Sequence, residues 1–169
     1  MAGNRKIGTY CHCQRFLVRA LISIFCLVGT GFVSAEIGLT RKFITDDATG
    51  VALFGFDPVA YFIEQKAIEG TNKLEFVWQN TVWRFEKEGN LEAFKQHPYI
   101  YAPIYGGYDA MGVSRGFLSV GNPAIWIIRE NRLYFFKSVA NRIAWLNDPD
   151  RHILRASGHW PNLDYNLPG

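Results

Sequence analysis

Twice in this chain, two short runs of aromatic and β-branched residues face each other across a polar turn. Residues 74–79 and 82–85 flank Asn80-Thr81, and residues 124–128 and 132–136 flank Arg129-Glu130-Asn131. This is the pattern of a β-hairpin. A helical signal follows each one. Asn90 is placed to cap a helix in which Leu91 and Phe94 lie on one side, and His97-Pro98 ends it. Ser138 is placed to cap a helix carrying Val139, Ile143 and Leu146, spaced as one apolar face. An isolated hairpin is marginal in water, so the hairpins and helices must share a core. The expected fold is α+β: a small antiparallel sheet built from two β-hairpins, with three or four short helices on one face, in a single domain. The two hairpin–helix units hint at an internal duplication, which the residues do not align well enough to establish.

Asp57-Pro58 predicts a further helix over 58–63, because Asp can cap free backbone N–H groups and Pro is tolerated in a first turn. Asp148-Pro149 predicts a last helix with Ile153, Leu154 and Ala156, ending at Gly158. The stretch 159–169 reads as a proline-punctuated surface segment with Trp160 tucked in.

The N-terminus reads as a targeting segment. Arg5, Lys6, Arg15 and Arg19 precede any acid, residues 20–33 form an apolar-to-small run, and Val33-Ser34-Ala35 suits a signal peptidase. At 14 residues the run is a signal core rather than a span, which needs roughly 20. Cleavage after Ala35 and export to the periplasm are expected; an uncleaved anchor from Phe16 that tolerates Arg19 is the alternative, and would be the chain's one link to a membrane. Of the 169 residues, 134 follow Ala35, with 14 basic against 15 acidic side chains, so the net charge of +3 becomes −1. The basic balance belongs to the leader and gives no argument for nucleic acid. Cys11, Cys13 and Cys26 also lie in the leader, which leaves burial to hold the exported domain together. The expected organisation is a signal peptide over 1–35, an N-terminal arm over 36–50, a domain over 51–161 and a tail over 162–169.

An ordered set of motifs runs along that domain: Gly55-Phe56-Asp57-Pro58-Val59-Ala60-Tyr61-Phe62, Trp83-Arg84-Phe85, Asn90-Leu91 with Phe94, Tyr101-Ala102-Pro103, Tyr105-Gly106-Gly107-Tyr108, Trp126, Leu133-Tyr134, Trp145 and Trp160-Pro161. In this it resembles the longer, exported branch of the YHS-domain family over about residues 51–161. Short YHS domains are similar to small metal-binding modules with a cysteine just after Asp-Pro-Val, where this chain and the longer branch have alanine, here Ala60. The longer branch commonly keeps a cysteine after Tyr-Gly-Gly-Tyr; here the residue is Asp109, which counts against thiolate chemistry.

The candidate site is the stretch 97–112, HPYIYAPIYGGYDAMG. Gly106-Gly107 permits positive φ and close backbone approach. Pro98 and Pro103 are expected to keep the intervening chain extended. Tyr101, Tyr105 and Tyr108 combine apolar rings with hydroxyls, and Asp109 and His97 add charge. Either the rings close the core, with Asp109 accepting hydrogen bonds, or these five residues line a pocket for a small aromatic, cationic or metal-bearing ligand. His97 and Asp109 are the metal-ligand candidates, and a metal ion is the one cofactor considered, although no two histidines share a helix face. Asp57 reads as a helix cap. No nucleophile elbow or phosphate loop is present. The expected function is therefore an exported, non-catalytic binding or accessory module for an unidentified ligand, with a residual or altered metal or small-ligand site. The alternatives are an interaction factor for an envelope protein, its metal site lost, and an enzyme, which would need His97 or His159 within reach of Asp57 or Asp109.

Overall fold

A computed structural model describes residues 42–165 and 167. The leader, the cleavage point after Ala35 and residues 36–41 of the arm lie outside the described residues. The fold is α+β. A 3-10 turn at Leu53–Gly55 leads into α1 (Ala60–Ile63), the hairpin β1 (Thr71–Trp78) and β2 (Thr81–Phe85), then α2 (Glu88–Gln96) and α3 (Pro98–Tyr101). A second 3-10 turn at Ile104–Gly107 leads into α4 (Ala110–Ser114), the hairpin β3 (Asn122–Arg129) and β4 (Arg132–Phe136), then α5 (Val139–Leu146) and α6 (Pro149–Tyr165). The hairpins form two separate two-stranded sheets rather than the single sheet expected.

The second half repeats the first. The first hairpin pairs Thr71 with Phe85 and then, past a bulge, Glu75 with Arg84 and Trp78 with Thr81. The second pairs Asn122 with Phe136, Trp126 with Phe135 and Arg129 with Arg132. Every partner lies 51 residues on, bulge included. Both hairpins turn through two residues at positive φ, Gln79-Asn80 and Glu130-Asn131, as a tight primed turn requires. The 3-10 turns match as well: Leu53, Phe54 and Gly55 have φ of 52°, 55° and 89°, and Tyr105, Gly106 and Gly107 have 57°, 61° and 89°. Isolated bridges from Phe56 to Glu69 and from Tyr108 to Val120 complete the correspondence. The duplication left open by the residues is thus present in the backbone.

One buried aspartate organises each copy. Asp57 Oδ1 accepts from the N–H groups of Val59 (2.8 Å) and Ala60 (3.3 Å), while Oδ2 accepts from Glu86 N–H (2.9 Å) and Asn90 Nδ2 (2.7 Å). Asp109 Oδ1 accepts from Met111 N–H (3.3 Å), and Oδ2 accepts from Gly112 N–H (3.2 Å), Ser119 Oγ (3.3 Å) and Asn141 Nδ2 (2.6 Å). Each carboxylate therefore ties a helix start to the helix after the hairpin. Asn90 is not the cap of α2: that position is Lys87, and Asn90 sits inside the helix with its amide on Asp57.

Two cores share β4. Leu133 and Phe135 face a cluster with Phe43, Leu53, Tyr61, Trp83, Phe85 and Phe94, while Tyr134 and Phe136 face one with Met111, Val113, Trp145 and Ala156. This is the period of two of a strand buried on both faces. The arm contributes to the first core through Phe43 and Ile44, held by Ile44 N–H donating to Gly106 O at 2.8 Å. That approach needs glycine, since a Cβ at Gly106 would lie 1.9 Å from Lys42 O.

Three further expectations are corrected. Residues 98–101 are helical, with Pro98 in the first turn where its missing N–H is no loss. Helix α6 runs through Gly158 and Pro161 to Tyr165 instead of stopping at Gly158, because Ile153, Trp160 and Leu163 pack on the second core. Val139, Ile143 and Leu146 do share a face, but it points to solvent, at 49%, 57% and 49% exposure; Trp145 and Asn141 take the inward side.

Candidate functional site

Between the two halves lies a cavity of about 430 Å3. Its walls are aromatic: Trp78 and Tyr99 from the first half, Tyr105 from the connecting turn, Tyr134 from β4 and Trp160 from α6. Tyr105 packs at 5.3 Å from Trp160 and 6.1 Å from Tyr134, ring centre to ring centre, and Trp78 meets Tyr99 edge-on at 5.1 Å. Ile153, Ser157 and Pro161 form the α6 side. Lys42 and Arg132 are the charged residues of the lining, and no acid joins them among the described residues. Volume and lining both suit a small organic ligand.

Burial pushes the Tyr105 hydroxyl up to about 12; the neighbouring Tyr134 hydroxyl adds to the rise and the Arg132 guanidinium opposes it. Burial also raises Tyr134, again against the pull of Arg132. Both rings therefore stay neutral phenols at ordinary pH, able to donate and accept.

Of the five residues expected to bind a ligand, Tyr105 lines the cavity. Tyr101 packs edge-on against Phe62 at 5.3 Å, on the first core. Tyr108 is half-buried beside Trp160, 6.4 Å between ring centres, outside the lining. His97 is exposed between α2 and α3. Asp109 is fully buried, its oxygens already taken by four protein donors, so it serves the frame and stands outside the cavity lining. Asp57 does the same in the first half. Among the described residues no group of three or more His, Cys, Asp or Glu side chains converges as a metal site.

The histidine–aspartate pairs that acid–base chemistry would need do not form: both carboxylates bond to amides and a hydroxyl, and His159 Nδ1 lies 3.2 Å from Val113 O. One serine–histidine contact does exist, Ser114 Oγ to His152 Nδ1 at 3.1 Å. Ser114 is buried at 2% exposure and its hydroxyl also reaches Met111 O at 2.9 Å, so the pair braces α4 against α6 away from the cavity. Burial lowers His152 below its ordinary 6.5, partly offset by Asp148 and reinforced by Arg155, Arg151 and Arg115.

Sequence reading missed Trp78, Arg132, Tyr134 and Trp160 as site residues. They lie far apart in the chain, and each reads singly as core or surface. Among the described residues no helix is long and apolar enough to cross a membrane. Comparison with family models, with curated proteins and with solved structures finds no match for this chain.

Proposed function

We propose that this protein is an exported, non-catalytic binding module of YHS type that holds a small organic ligand in the aromatic cavity between its two halves. The observation that carries this reading is the cavity itself, with six aromatic side chains around about 430 Å3. Such walls give a flat apolar ligand large contact area at little loss of side-chain freedom. The ordered motifs from Gly55 to Trp160 support the family assignment, and the leader supports export. The absence of a thiol after the leader and the engagement of Asp109 within the frame speak against an inherited metal site.

Native mass spectrometry of the protein purified from the envelope of its own cells tests this. Ser157 lies exposed on the rim, so Ser157→Trp would plug the cavity without touching a core. The reading predicts retained organic mass on the wild type that is lost in Ser157→Trp. Bare polypeptide, together with no small aromatic compound raising the melting temperature, would refute it.

A second reading, an interaction factor for another envelope protein, is favoured by one observation. Val139, Ile143 and Leu146 are exposed on α5, whereas the equivalent positions of α2, 51 residues earlier, are Glu88, Glu92 and Lys95. The frame does not require apolar residues there. Crosslinking from Ile143 in intact cells that captured one defined envelope protein, lost on Ile143→Glu, would favour this reading over the first.

A further inference from the structure

The three positions that build the inner wall of the cavity have counterparts in the first half. Tyr105, Arg132 and Tyr134 correspond to Leu53, Thr81 and Trp83 through the shared turn and hairpin register. In the first half Leu53 and Trp83 are fully buried, and Trp83 is closed over by Phe43 (4.9 Å) and Phe94 (5.0 Å). Thr81 turns its hydroxyl back onto Gln79 O at 3.3 Å. The frame is thus satisfied by two apolar residues and a threonine, and the second half instead places two largely buried phenols and an exposed guanidinium on the lining of the cavity.

Arg132 has no ion-pair partner among the described residues, in contrast to Arg84, which pairs with Glu75 at 2.9 Å, and Arg129, which pairs with Asp150 at 2.7 Å. Lys42, on the same lining, is likewise without a carboxylate among the described residues. Glu130 is near enough to act on Tyr134 but stands outside the lining. Two cations beside aromatic walls, with no acid on the lining, make a site of one sign. A guanidinium fork matches a carboxylate or sulfonate in shape as well as charge, and the neutral phenols can donate to the same group.

From this, resting on the cavity reading above, we infer that the ligand is a planar aromatic anion, such as an aryl carboxylate, its ring held between Tyr105, Tyr134 and Trp160 and its charge met by Arg132, with Lys42 as the second cation.

Two dyes of nearly the same shape separate the charge from the cavity: 8-anilinonaphthalene-1-sulfonate, which carries an anion, and N-phenyl-1-naphthylamine, which carries none. Each is titrated by fluorescence into the protein as purified, wild type and three variants. The inference predicts that Arg132→Gln weakens the anionic dye at least tenfold and leaves the neutral dye within twofold, and that Lys42→Gln does the same to a smaller extent. Ser157→Trp should abolish both. Equal loss of both dyes in Arg132→Gln, or no loss of either, would overturn the anion inference while the cavity reading stands. Neither dye binding the wild type, or both binding Ser157→Trp undiminished, would overturn the cavity reading itself. Arg132 is exposed, so its replacement leaves the cores intact; an unchanged far-ultraviolet spectrum confirms this before titration.

Discussion

Leu53, Thr81 and Trp83 in the first half of the domain hold the same places on the frame as Tyr105, Arg132 and Tyr134 in the second, yet the first set ends in a filled core and the second in a cavity. What the halves keep in common is polar and buried: an aspartate that gathers a helix start and an asparagine amide 2.6 to 2.7 Å away. What they do not share is the covering layer. Trp83 lies under Phe43 and Phe94, while Tyr105 and Tyr134, packed on Trp160 and Trp145 on one side, border the cavity on the other. The frame sets the fold, and function is sought where the copies differ.

The largest effect should come from breaking what is common. Asp57→Ala and Asp109→Ala each strand buried donors, and each should lower unfolding free energy by about 3 kcal/mol or more in urea titrations. Near-equal losses are expected. A marginal loss at Asp109 would mean that the second copy does not depend on its aspartate, and the equivalence would fail there.

Next comes the unequal pair. Trp83→Ala removes a ring packed on every side and should destabilise by about 3–5 kcal/mol. Tyr134→Ala removes one that already borders empty space, and about 2 kcal/mol is expected, since part of its surroundings can relax. Equal losses would argue that the cavity is closed in solution.

Titration should also divide the halves. His152 stands where the first half has Tyr101, and burial lowers its proton affinity in the folded chain. The unfolded state therefore binds the proton more tightly, and stability rises with pH across the interval. The favourable contribution is present above the unfolded value of 6.5 and is lost as pH falls from there through the lower folded value. Melting temperatures from pH 7.5 down to 5 should show this decline in the wild type and a shallower one in His152→Phe. In the alkaline range, ultraviolet difference spectra should find one tyrosine ionising near 12, absent from Tyr105→Phe. The smallest effect is expected at the exposed face of α5: Ile143→Glu reproduces the residue at the matching place in α2 and should change stability by no more than about 0.5 kcal/mol.

Much of the frame was legible in the residues because local chemistry decides it. The hairpins follow from β-branched and aromatic runs, and Ser138 caps α5 through Asn141 N–H as its type predicts. Asp57 was readable as a cap, but its second oxygen, which spans to Glu86 and Asn90, is a tertiary contact with no local signature. The apolar spacing on α5 marked a face without saying which face the core takes, and Trp145 with Asn141 took the other one. Gly158 signalled a helix end that packing of Trp160 and Leu163 overrode. The cavity was the least legible feature, since its lining is drawn from residues between Lys42 and Pro161 that meet only in the folded chain. Tyr105 was found because it sits in the glycine turn; Arg132 and Tyr134 gained meaning only beside Thr81 and Trp83.

The most direct test replaces the second half's wall with the first half's: Tyr105→Leu, Arg132→Thr and Tyr134→Trp in one chain, unfolded in urea with and without 8-anilinonaphthalene-1-sulfonate and followed by circular dichroism. If the halves share one frame and only the second binds, the variant unfolds in a single cooperative step and the dye no longer moves its midpoint, while the wild-type midpoint shifts upward by mass action. A variant that loses cooperative unfolding would contradict the shared frame. One that folds and is still stabilised by the dye would contradict the site.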